Sequence, residues 1–125
     1  MRLLLDSHAY IWAVTQPSEL SATARQAIED WENQRFVSVA SLWEMTVKLS
    51  VGKLSLPPNY MDGVDHLGAT LMPITAPHLK QVQSLPLHHR DPFDRMMIAQ
   101  ALEENLTIVT RDRAFRAYGV PLLAA

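Results

Sequence analysis

A chain of 125 residues, 48% of them hydrophobic, is sized for a single globular domain over residues 1–125, burying roughly two-thirds of its unfolded surface without staples. The net charge of −2 excludes a broadly basic nucleic-acid coat, so any RNA or DNA chemistry must use a local basic patch or a bound cation. The absence of cysteine excludes disulfides and thiolate metal sites and fits a reducing cytosol, while no apolar stretch approaches the ~18 residues of a membrane span.

The chain opens on MRLLLDSH, whose apolar run stops at Asp6, too short for a signal peptide. Leu3 to Leu5 suits a strand buried on both faces. A short helix around His8 to Thr15 stops before Pro17. Ser21 caps a second helix reaching about Asn33, with Ala24, Ala27, Ile28 and Trp31 at helical spacing. Phe36 to Val39 reads as the second strand. Ser41 to about Val51 is helical and stops at Gly52. Pro57-Pro58 turns the chain into a short helix near Asn59 to Leu67. Ala69 to Ile74 is a weaker strand because Pro73 lies within it. Ala76 to Ser84 and Pro92 to Glu104 are helices, the second the clearest in the chain. Leu106 to Thr110 is a strand, a helical turn covers Arg113 to Tyr118, and Val120 to Leu123 forms an edge strand. Strands alternating with helices predict an α/β fold, with a small, mainly parallel sheet flanked by helices on both faces. Such sheets bind ligands beyond the carboxyl ends of their strands.

Four acids fall at element ends on that rim. Asp6 follows the first strand, Asp112 follows the Leu106 to Thr110 strand, and Asp94 opens the helix leading into it. Glu44 opens the helix after the second strand. Each has a plainer reading beside the functional one. Asp6 can be a turn or cap residue. Ser41-x-x-Glu44 matches a capping box, and Lys48 lies four residues after Glu44, so Glu44 taken alone reads as structural. Asp91, before Pro92, reads as a pure helix cap. Asp94 shares the face of Ile98 and Ala101, the apolar side, where a carboxylate is costly unless paired or metal-bound. Two carboxylates about 4 Å apart repel by roughly 4 kcal/mol at an effective dielectric near 20. A divalent cation removes that conflict, and oxygen-only donors favour Mg²⁺ or Mn²⁺.

The segments LLLDSH (Leu3 to His8), SLWEM (Ser41 to Met45), HRDPFDRMMIAQA (His89 to Ala101) and TIVTRD (Thr107 to Asp112) together resemble the PIN-domain family, and more narrowly the VapC-type toxins of bacterial toxin–antitoxin pairs. The resemblance spans nearly the whole chain, and the order and spacing of its motifs are specific where each motif alone is weak. It implies a small parallel sheet between helices and an Mg²⁺- or Mn²⁺-dependent ribonuclease. It places the catalytic and metal-binding quartet on Asp6, Glu44, Asp94 and Asp112. It also implies that Thr110 hydrogen-bonds behind the metal, that Asp112 reaches the metal through water, that a small cognate antitoxin holds the enzyme inactive, and that the chain forms a homodimer.

Other residues carry less. His88 and His89 complete no zinc motif and read as loop residues near the groove. Trp12, Trp31 and Trp43 read as packing, with Trp43 the least settled. Arg90, Arg95, Arg111, Arg113 and Arg116 flank the acids; Arg95 and Arg111, each next to a quartet acid, and Lys48 are the predicted RNA contacts. Asp30, Asp62 and Asp65 lack strand-end positions and read as surface residues. Two other functions remain open at this point. One is a phosphatase of another doubly wound fold, weakened by His8 standing where a second aspartate is usual. The other is a non-catalytic partner in an autoregulatory toxin–antitoxin complex.

Overall fold

In the computed structural model, which describes residues 1–125, five parallel strands form one sheet in the order β3-β2-β1-β4-β5. The strands are β1 (Arg2–Leu5), β2 (Gln34–Ser38), β3 (Thr70–Met72), β4 (Thr107–Thr110) and β5 (Leu122–Ala124). Between them run α1 (Ser7–Thr15), α2 (Ala22–Glu29), α3 (Val39–Ser50), α4 (Gly63–His66), α5 (Ala76–Ser84) and α6 (Pro92–Glu104), with single 3-10 stretches at Pro17–Glu19, Tyr60–Asp62 and Arg113–Tyr118.

β1 is the central strand, pairing Leu4 with Phe36 on one side and Ile108 on the other. Its three leucines are completely buried because successive side chains serve opposite faces. Leu3 and Leu5 join Val37 and Val109 under α1, α2 and α3, against Tyr10, Ala24, Ile28 and Met45. Leu4 joins Ile108 under α6, against Met97, Ile98, Ala101 and Phe115. The continuous apolar run LLL is therefore a two-faced core strand, and the acid after it must emerge at the sheet's carboxyl edge.

The second strand and third helix begin earlier than the sequence spacing suggests. β2 covers Gln34–Ser38, and Ser38, whose side chain accepts from the Ala40 amide at 3.0 Å, caps α3. Ser41 is therefore no cap; it is buried in the first turn and donates to Met97 Sδ at 3.1 Å. The Ser41–Glu44 capping box does not form. α2 also ends at Glu29 rather than near Asn33, because Asp30 turns the chain by accepting from the Glu32 amide. Trp31 thus falls outside the helix, 76% exposed, with Arg35 stacked 4.7 Å from its ring. The third strand shrinks to Thr70–Met72, halted by Pro73 as that residue predicts. α6 stops at Asn105 in the left-handed conformation (φ 56°), a geometry asparagine tolerates, and the chain reverses into β4.

Candidate metal centre

The strand ends deliver the acids. Asp6 follows β1, and its Oδ1 accepts from the Ala9 amide at 2.8 Å, so it caps α1 while lying almost wholly buried. Burial pushes its carboxyl above the ordinary carboxylate range. The Thr110 hydroxyl, the Ala9 amide and the His8 charge oppose that rise, and the Glu44 charge adds to it. Glu44, in the second turn of α3, is also buried. Both its oxygens are held: Ser7 Oγ donates to Oε1 at 2.6 Å and Lys48 Nζ to Oε2 at 2.9 Å.

Asp94 stands in the first turn of α6. Asp91 caps that helix, its Oδ1 accepting from the Phe93 and Asp94 amides at 2.9 and 3.1 Å. Asp91 is thus the cap that its place before Pro92 predicts. Asp94 Oδ2 lies 2.7 Å from His89 Nε2. Desolvation raises the Asp94 pKa to about 6; the His89 hydrogen bond lowers it, and the charges of Asp91 and Glu44 raise it further. Asp112 follows β4 and is exposed. Its amide donates to Thr110 Oγ1 at 3.0 Å and its Oδ1 accepts from the Ala114 amide at 2.9 Å.

One donor atom each from His89, Asp94 and Asp112 lies within 4.8 Å of the others. Asp6 and Glu44 stand outside this tightest group yet share its field, since the Glu44 charge raises both Asp6 and Asp94. Lys48, held by Glu44, is itself raised by that bond and by the Asp91 and Asp94 charges. Carboxylates that are buried, mutually repelling and pushed toward protonation suit a divalent cation, which would compensate their charge.

Two predicted contacts turn elsewhere. Arg95 donates to the carbonyls of Val82, Leu85, Pro86 and His89 and to Tyr118 Oη. One position along a helix is a rotation of about 100°, so Arg95 faces the loop before α6 while Asp94 faces the other acids. Arg111 sits with its guanidinium 4.1 Å from the Trp12 ring and donates to the carbonyls of Glu19 and Ala125. Lys48 pairs with Glu44, and Arg111, though held by those carbonyls, still lines a cavity shared with Asp112. Trp43 is 56% exposed and meets Phe93 edge-on, centroids 4.9 Å apart, so it joins α3 to the start of α6.

The sequence placed His89 in a loop near the groove but concealed its contact with Asp94. The available signal was Asp91-Pro92: a capped, proline-started helix folds the preceding residues back over its first turn, where Asp94 sits. Ser7 was concealed too, although its place after a strand-end acid put it on the same rim.

An all-parallel α/β sheet with carboxylates at the carboxyl ends of two adjacent strands defines an acid-lined domain suited to a divalent cation. The PIN domain profile matches residues 3–121, and the chain belongs to the PIN-domain family. It is similar to Ribonuclease VapC22 of Mycobacterium tuberculosis, 31% identical over 126 residues that cover 95% of this chain and 93% of that one. In fold it is similar to VapBC2 from Rickettsia felis bound to a DNA fragment from their promoter (TM-score 0.74, 16% identity, 98% of each chain). It is also similar to DNA-bound VapBC from Salmonella typhimurium (TM-score 0.72, 14% identity, 98% of this chain and 97% of that one).

Proposed function

We propose that this chain is a divalent-metal-dependent endoribonuclease acting as the toxin of a toxin–antitoxin pair. The observation that carries the reading is the grouping of donor atoms from His89, Asp94 and Asp112 within 4.8 Å of one another, with the Glu44 charge helping to raise the Asp94 pKa to about 6. The PIN-domain match and the ribonuclease relative support it and leave the phosphatase alternative without support. Asp6, Glu44 and Asp94 would hold Mg²⁺ or Mn²⁺, with Asp112 acting through water. When bound, the cation lowers the pKa of a coordinated water and neutralises charge developing on the phosphate.

The protein's own contribution is placement. Ser7 and Lys48 fix both oxygens of Glu44, so this carboxylate keeps one orientation as ligands come and go. Thr110 holds the Asp112 backbone and touches Asp6, tying the ends of β1 and β4 together. His89 holds one oxygen of Asp94 and leaves the other free. The substrate is RNA, the partner a small cognate antitoxin, and the chain pairs with a second copy of itself in the cytoplasm. No helix is long and apolar enough to cross a membrane. The exposed apolar stripe Trp43, Val47 and Val51, spaced four residues apart on and just past α3, supports self-association.

Purified chain freed of antitoxin should cut RNA with Mg²⁺ or Mn²⁺, and Asp6→Asn should stop it; equal cutting by the two proteins sinks the proposed site. A second reading, a non-catalytic partner in an autoregulatory complex, draws on the DNA-bound complexes among the structural relatives. It requires that Asp94→Asn be as toxic, or as harmless, to growth as wild type.

A further inference from the structure

A cavity of about 530 Å³ is lined by Asp112 and three arginines, Arg111, Arg113 and Arg116, and two of the three are not committed to the framework. Arg25 is paired with Glu29. Arg35, Arg95 and Arg111 donate to main-chain carbonyls, which fixes them in the framework. Arg113 and Arg116 are exposed, line the cavity, and form neither an ion pair nor a side-chain hydrogen bond. They stand three apart in a 3-10 stretch with three residues per turn, so they occupy one face, one above the other. Two neighbouring like charges with no acid between them repel, and an anion lodged against both removes the repulsion. Arginine suits a phosphodiester here because its planar fork can give two parallel hydrogen bonds to one phosphate.

The remaining walls fit the same ligand. Val120 and Leu122 supply an apolar flank for a ribose or base, and Asp112, which lines the cavity and also groups with His89 and Asp94, joins it to the acids. We propose that the cavity bounded by Arg113, Arg116, Val120 and Leu122 is a subsite for the backbone of single-stranded RNA, holding phosphates that flank the bond being cut. The proposal rests on the ribonuclease reading and assigns the phosphate contacts to Arg113 and Arg116; Arg111 lines the same cavity, but it and Arg95 already donate to main-chain carbonyls. Because such contacts meet the backbone, they bind all sequences alike and position the strand without selecting the cleavage site.

The test uses the full chain carrying Asp94→Asn and a fluorescent, mixed-sequence, single-stranded RNA, with anisotropy followed across a salt series. Adding Arg113→Ala and Arg116→Ala weakens binding by about tenfold or more. It also lowers the slope of log affinity against log salt by about 1.4, or 0.7 for each phosphate no longer neutralised. The Arg113→Lys, Arg116→Lys protein keeps the slope, because the charge remains, and Arg25→Ala keeps both affinity and slope. Unchanged affinity and slope in the double alanine protein overturn the proposal. So does a loss seen with a poly-glutamate peptide but not with RNA, which would assign the cavity to an acidic protein segment. Cleavage by the protein with Asp94 intact is read separately: if it cuts no RNA, the ribonuclease reading fails by that result, whatever the binding curves show.

Discussion

The two halves of the acid site are built differently. Asp6 and Glu44 are buried, and the chain holds them through Ala9, Ser7 and Lys48. Asp94 and Asp112 are more open, and Asp94 is steadied by one histidine from an irregular loop. That loop is itself fastened, since Tyr118 Oη accepts from the His89 amide and Arg95 donates to the His89 carbonyl. The first half is packed into the core; the second is more open to solvent. Substitutions of the side chains that steady each half, Ser7 and His89, should therefore register in different measurements.

The largest effect belongs to Asp6. Asp6→Asn should reduce cleavage by about a thousandfold or more, the scale of several kcal/mol of charge stabilisation. Asparagine caps a helix as well as aspartate does, so the melting temperature should hold or rise; a collapse in stability would mean that Asp6 serves the fold.

Next comes Asp94 in the metal-free protein. Its folded pKa of about 6 lies above the ordinary 3.8, so its contribution is fully present below pH ~4 and is lost as pH rises through about 6. Its side chain is 15% exposed, and the loss should reach about 2–3 kcal/mol. Urea unfolding with chelator should show Asp94→Asn gaining on wild type between pH 4.5 and 8, and a constant gap refutes the burial argument.

His89→Ala should cost about 10- to 100-fold in cation affinity, measured by calorimetry, with little change in stability. Ser7→Ala reverses the emphasis: it leaves a buried Glu44 oxygen without its donor and should cost about 1–2 kcal/mol of stability. Similar profiles for these two variants would erase the distinction between the halves. The smallest effect is Lys48→Met, worth less than about 1 kcal/mol because the lysine end of the pair is 43% exposed and water can take its place at Glu44.

The strand-end acids were legible in the sequence because burial on both faces leaves a run such as LLL only one exit for the next polar residue. Asp91 and Asp94 were separable because proline marks the start of α6 and helical spacing assigns faces. Local rules favoured Ser41 as the start of α3, whereas Ser38 caps it. Pairing of Ser38 with Met72 extends β2 to that residue and decides it. Nor does adjacency in sequence give direction: Arg95 is a third of a turn from Asp94, and Arg111 turns toward Trp12 and the chain end. The partners of His89 and Ser7 come from loop geometry and from a hydrogen bond spanning 37 residues, which no local spacing records.

Asn105 has a consequence for how the family's chains can vary in length. From Asp94 to Asn105 the helix climbs about 16 Å. From Leu106 to Asp112 the extended chain descends about 20 Å. The left-handed turn thus works as the fold of a ruler, bringing both ends level, with donor atoms of Asp94 and Asp112 inside a 4.8 Å group. One residue inserted into α6 would swing Asp94 by about 100° and part the two carboxylates. Length changes should be absorbed instead between Gly52 and Asn59, where the gauge is not set.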